Sequence, residues 1–75
     1  MEARIGEFWT LDNTFIMEVI TIKNGVATLS TVDKRNNSIG TANKMITDFV
    51  RVEVLRKATD DEIAKYNEVK DGKLR

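Results

Sequence analysis

Phe15 to Val32, FIMEVITIKNGVATLSTV, holds two apolar, β-branched runs joined by Asn24-Gly25. That dipeptide is a strong hairpin signal, because both residues accept the positive φ of a type I′ turn. A two-residue loop there sets Lys23 opposite Val26, Ile22 opposite Ala27, Thr21 opposite Thr28, Ile20 opposite Leu29 and Val19 opposite Ser30. One face of the ribbon then carries Ile20, Ile22, Ala27 and Leu29, and the other Thr21, Lys23, Thr28 and Ser30. Slipping the register by one residue would mix the two sets, so the turn chemistry and the apolar pattern select the same pairing.

Upstream of this ribbon the alternation fails. Phe15, Ile16, Met17 and Val19 are apolar on both faces, and Glu18 falls on the side expected to be buried. These residues predict a bent or bulged strand whose far end is covered on both sides, with the bulge turning Glu18 outward. The outward turn fits the tendency of Glu to avoid full burial unless paired, and a functional carboxylate is the other reading of Glu18.

Outward from the hairpin, Glu7 to Leu11 favours a strand, and Asp12-Asn13-Thr14 supplies a turn that makes it the antiparallel neighbour of the strand beginning at Phe15. Trp9 is expected to pack in the core or at its rim, with a ligand-stacking platform as the second reading. Asp33 to Asn37 is polar and reads as a loop, and Ser38 to Ala42 as a short fourth strand in which Gly40 lets a bulky residue such as Trp9 pack across it. Asn43 to Asp48 predicts a single helical or 3₁₀ turn begun by the capping residue Asn43. Phe49 to Leu55 resumes alternation, with Val50, Val52 and Val54 on one side and Arg51 and Glu53 on the other.

Thr59 and Glu62 have the capping-box spacing, and Asp60 and Asp61 add negative charge at the positive end of a helix dipole, so a helix is predicted from Asp60. Ile63, Tyr66 and Val69 give it a narrow apolar stripe, and Asp71-Gly72 ends it. So short a helix is marginal alone and must pack on something.

The chain has 75 residues, near the size where one hydrophobic core is only just sufficient. Residues 1–58 are expected to form the β unit and 59–75 the helix and tail of the same domain. Cysteine and histidine are both absent, which removes disulfides, thiolate and imidazole metal sites, and Ser-His or Cys-His nucleophiles. Carboxylates, lysines and one tyrosine remain, without a motif to organise them, so no enzyme, no metal and no cofactor is expected. The third reading, an enzyme, needs a pocket that gathers Glu18, Asp48 or Glu53 with Lys44. Twelve basic and twelve acidic side chains leave no net charge, and neither half is a basic arm or an acidic tail. MEARIGEFWT places charges where the apolar core of a signal peptide would lie, and no apolar run is long enough to span a bilayer. A soluble cytoplasmic protein without a membrane partner is expected.

Five short strands, tight antiparallel connections and a helical turn before the last strand predict a mainly β fold, a small and partly open five-stranded barrel with a short C-terminal helix. The order of Gly6-Glu7-Phe8-Trp9, the Asn24-Gly25 hairpin, a polar loop, a short fourth strand, the Lys44 to Asp48 turn and Phe49-Val50-Arg51-Val52 resembles small SH3-like domains of the KOW and Tudor kind, and small phage-encoded barrels. The likeness is one of layout and covers residues 5 to 55. No aromatic cage and no proline-groove residues can be matched.

Two functions are expected from different classes. The first is a non-catalytic protein-binding module, in keeping with the phage-encoded barrels a product of a phage or mobile element that binds a host protein, or a second copy of itself as a homodimer. Its contact surface would be Trp9, Phe15, Met17, Val19 and Val32 with the helix residues Ile63 and Tyr66. The second, implied by the KOW and Tudor resemblance, is nucleic-acid binding. It needs Lys34, Arg35, Lys44, Arg51, Arg56 and Lys57 to converge beside Trp9 or Phe8, so that cations hold the backbone while a ring stacks on a base.

Overall fold

The computed structural model describes residues 3–46 and 55–72. Five strands, β1 (Phe8–Leu11), β2 (Phe15–Lys23), β3 (Val26–Asp33), β4 (Ser38–Met45) and β5 (Leu55–Lys57), precede one helix, α1 (Asp60–Lys70). The strands form one antiparallel sheet in the order β4-β3-β2-β1-β5. That sheet is open, with β4 and β5 at its edges among the described residues. No helix among those residues is long and apolar enough to cross a membrane.

The central hairpin forms where the sequence places it. Asn24 and Gly25 take φ of 54° and 76°, the left-handed pair of a type I′ turn. Lys23 pairs with Val26, Ile22 with Ala27 and Thr21 with Thr28, as expected. Beyond them the register shifts between Val19 and Thr21, so Val19 instead of Ile20 faces Leu29, and Glu18 faces Ser30. Ile20 is the extra residue of a β-bulge and is 43% exposed. It is therefore not the core residue expected; Val19 fills that place beside Leu29 and Ala27.

The bulge explains why the alternation fails upstream. Skipping one residue reverses the facing of everything before it. Met17 and Val19 join Trp9, Ala27, Leu29 and Leu55 in one core, whereas Ile16 joins Val32, Tyr66 and Val69 in a second core on the opposite face. We refer to these as the Trp9 face and the helix face. Ile16 and Met17 are adjacent and both buried, which is possible only in a strand covered on both sides. Glu18 goes to the helix face, away from Ile22 and Leu29, and accepts a hydrogen bond from the Tyr66 hydroxyl at 2.9 Å.

Replacing Ile20 with Thr is expected to change stability by no more than about 0.5 kcal/mol, as for other surface positions. Val19→Ala, which hollows the Trp9 core, should cost about 2 kcal/mol. Urea denaturation of the two variants separates the bulge from the in-register arrangement, in which Ile20 would be the costlier loss.

Three expectations about β4 and β5 are corrected. Asn43 does not cap a helical turn; β4 continues through Asn43, Lys44 and Met45, and the Asn43 side chain accepts a hydrogen bond from Thr28 across the ladder at 3.0 Å. Its capping chemistry is spent on a cross-strand pair. Gly40 does not receive Trp9; its nearest neighbour is the Thr31 hydroxyl, 3.2 Å from where a Cβ would stand. Arg56 and Lys57 belong to β5, beyond Leu55 where the expected fifth strand stops. Residues 49–54 of the expected fifth strand, and Thr47 and Asp48 of the expected turn, lie outside the described residues.

The helix begins as predicted. The Thr59 hydroxyl accepts from the Glu62 amide, and the Glu62 carboxylate accepts from the Thr59 amide. It ends at Lys70, with Gly72 at φ 78°. The face it buries is not quite the one expected. Glu62, Tyr66 and Val69 are buried and Ile63 only half so, a spacing of four and three residues that keeps to one side of a helix better than repeated steps of three.

Candidate functional site

Glu62 is the most heavily bonded side chain of the described structure. It projects from the first turn of α1 onto the helix face where β1 and β5 run side by side, and it is 8% exposed. Thr10 and Arg56 are cross-strand partners there. Arg56 grips both Glu62 oxygens, at 2.8 and 2.9 Å, the Thr10 hydroxyl donates at 3.0 Å, and Lys34 approaches from the β3–β4 loop at 3.2 Å. Bonding to Arg56 holds the Glu62 carboxyl far below the usual carboxylate range; burial opposes this, and Thr59, Thr10 and Lys34 reinforce it.

Two of the other cations expected to meet nucleic acid, Arg35 and Lys57, are similarly occupied. Arg35 pairs with Asp33 through two side-chain bonds, at 2.8 and 3.1 Å, and this fork keeps the Asp33 carboxyl below its ordinary value. Lys57 pairs with Glu7. Burial would raise the Glu7 carboxyl, but Lys57, the Arg4 amide and Trp9 outweigh it and hold it low. Of the rings foreseen beside these cations, Trp9 has one, with Lys57 Nζ 5.2 Å from its centre; the Arg35 guanidinium lies instead 5.7 Å from the centre of Phe15. Lys34 and Arg56 thus converge on an internal carboxylate, and Arg35 and Lys57 on two more. Lys44 stands on the Trp9 face, opposite Ala27. Arg51 lies outside the described residues.

The apolar residues expected at a protein contact are mostly inside. Trp9, Met17 and Val19 form the Trp9 core with Phe15 half-buried against it, and Val32 and Tyr66 form the second core. Their surplus is absorbed because the sheet has two covered faces instead of one. Ile63 remains partly exposed on α1. Glu18 and Lys44, two members of the catalytic reading, occupy opposite faces of the sheet; Asp48 and Glu53 lie outside the described residues. Among the described residues no group of three or more acidic side chains could hold a metal ion.

Exposed apolar surface gathers elsewhere, at β4. Ile39 and Met45 are 53% and 57% exposed; they pair with Val32 and with Val26, itself 37% exposed, all four on the helix face. Among the described residues β4 pairs on one side only, so an eight-residue strand presents backbone donors and acceptors along its outer edge. Sequence reasoning missed this edge because it ended the strand at Ala42. With Asp33 opposite Ser38 across the loop Lys34 to Asn37, an equal run against all eight residues of β3 reaches Met45 opposite Val26, so the length of β3 was the available signal.

Fold and surface together define a class, a small mainly β domain of one open antiparallel sheet with a helix docked on one face. Comparison of the chain with protein-family models, curated proteins and solved structures finds no match.

Proposed function

We propose that the chain is a non-catalytic protein-binding module that meets its partner along β4. The observation that carries this reading is the coincidence of an edge strand with exposed Ile39 and Met45 at its two ends. Main-chain pairing at such an edge supplies affinity, and the flanking side chains supply selectivity. The order β5-β1-β2-β3-β4, with β2 bulged at Ile20, supports an SH3-like, partly open barrel as the scaffold. Against nucleic acid stands the pairing of Lys34, Arg35, Arg56 and Lys57 with carboxylates of the same chain, since phosphate binding draws on cations free to release counterions.

The test compares capture from an extract of the source cells by the wild-type chain, by Thr41→Pro and by Glu68→Lys on the exposed side of α1. Proteins held by the wild type and by Glu68→Lys but lost with Thr41→Pro support the reading, provided circular dichroism shows all three folded. Titration against single- and double-stranded DNA and RNA at low salt is expected to show no saturable binding. Tight, salt-sensitive binding there would replace this reading with the nucleic-acid one.

A further inference from the structure

We infer that the occupant of the β4 edge is β4 of a second copy of this chain, paired antiparallel so that Ile39 of each copy faces Met45 of the other. This rests on the reading of β4 as a protein-binding edge and names its partner. The register follows from backbone geometry. The Ile46 amide donates to the Gly25 carbonyl, and pairing between β3 and β4 runs without a break from Val26↔Met45 to Asp33↔Ser38. Hydrogen-bonding direction alternates along an antiparallel strand, so the even-numbered residues of β4 turn their N–H and C=O groups toward β3. Ile39, Thr41, Asn43 and Met45 turn theirs outward.

Two copies related by a two-fold axis normal to the sheet must pair residues of the same facing. Centring the axis at Ala42 matches Ile39 with Met45 and Thr41 with Asn43, so every outward residue exchanges both of its backbone bonds. Moving the centre to Thr41 or Asn43 leaves one outward residue unpaired and sets Ile39 opposite Asn43, or Met45 opposite Thr41. Only the Ala42 register brings the exposed apolar side chains together, and it does so twice, extending the rows Val32–Ile39 and Val26–Met45 across the junction. Charge agrees. Lys44 is the single charge on β4 and falls opposite Gly40, so two copies meet without like charges facing each other. A partner strand rich in acidic or basic residues would find only that one charge to answer it.

The chain contains no cysteine, which allows a clean trap. At the axis Ala42 would face its own copy in a non-hydrogen-bonded pair, where Cα atoms lie about 4.5 Å apart, within disulfide reach. Ala42→Cys should oxidise to a covalent dimer much faster than Glu68→Cys, and light scattering of the wild type should give twice 8.5 kDa. Ile39→Lys should weaken the dimer by about tenfold, through loss of two cross-strand pairs. Adding Met45→Glu should restore it by placing opposite charges across the junction. A monomer mass at the highest soluble concentration, or a dimer in which Ala42→Cys cross-links no faster than Glu68→Cys, overturns the second-copy inference. If Thr41→Pro still abolishes capture of another protein, the edge serves that protein and only this inference falls; if capture too is indifferent to Thr41→Pro, the reading of β4 falls with it.

Discussion

Glu62→Ala should destabilise the domain by about 3 kcal/mol, toward the lower end of the cost of breaking a buried ion pair, because Arg56 and Lys34 keep access to water. The loss has three parts. Arg56 and Lys34 are left without their shared carboxylate, the fully buried Thr10 hydroxyl loses its acceptor, and the Thr59 amide loses the reciprocal half of the capping box. A domain of this size has only about 4–11 kcal/mol of stability in total, so the variant should unfold at much lower urea concentration than the wild type. Glu62→Gln retains an acceptor for Thr59 and should lie between the two.

The same carboxylate makes folding sensitive to acid. Its folded pKa lies far below the ordinary 4.5, so the unfolded chain takes up the proton first. The stabilisation is complete above the unfolded value and is lost as pH falls through it toward the folded one. Glu7 and Asp33, also held low by their cations, act in the same direction. Thermal midpoints of the wild type should therefore decline below about pH 5, and those of Glu62→Gln should decline less steeply. Parallel profiles for the two proteins would mean that Glu62 is not the group responsible.

How much of this could be read from the sequence differs from one element to the next. The Asn24-Gly25 turn and the Thr59/Glu62 box are local devices, complete within four residues, and both stand where the sequence sets them. The double-sided burial of Phe15 to Val19 was also legible, because four apolar residues among five cannot all serve one face. Which residue bulges was not, since Val19 and Ile20 are near-isosteric and only the cover available on each face decides between them. Glu62 shows the other limit. Its cap role is written in spacing to Thr59, but its contacts with Thr10 and Lys34 span 52 and 28 residues and exist only once sheet and helix are assembled. The basic residues looked like a surface for phosphate in part because the carboxylate partners of Lys34 and Lys57 stand 28 and 50 residues away.

Tyr66→Ala should be the most damaging single change on the helix face, costing about 3–5 kcal/mol and lowering the melting temperature by roughly 20 °C. Tyr66 is buried between Phe8, whose ring meets it edge-on at 5.1 Å and 77°, and the Ile16, Val32 and Val69 side chains. Removing the ring leaves an eleven-residue helix without its main anchor, and a helix of that length does not persist alone. Tyr66→Phe isolates the hydroxyl, which donates to Glu18, and should cost about 1 kcal/mol. Burial pushes that hydroxyl up to about 12 from the ordinary 10.0, Glu18 adds to the rise and Ser30 partly offsets it. The sign is opposite to that of Glu62: the neutral phenol is favoured in the folded state, so its contribution is intact below pH 10 and is lost as pH climbs from there toward 12. Because the chain has a single tyrosine, phenolate absorbance reports this group alone. The titration should be displaced upward in the folded protein and coincide with loss of the helical circular-dichroism signal. A phenolate appearing near pH 10 with the helix intact would place Tyr66 in water and remove the anchor from this account.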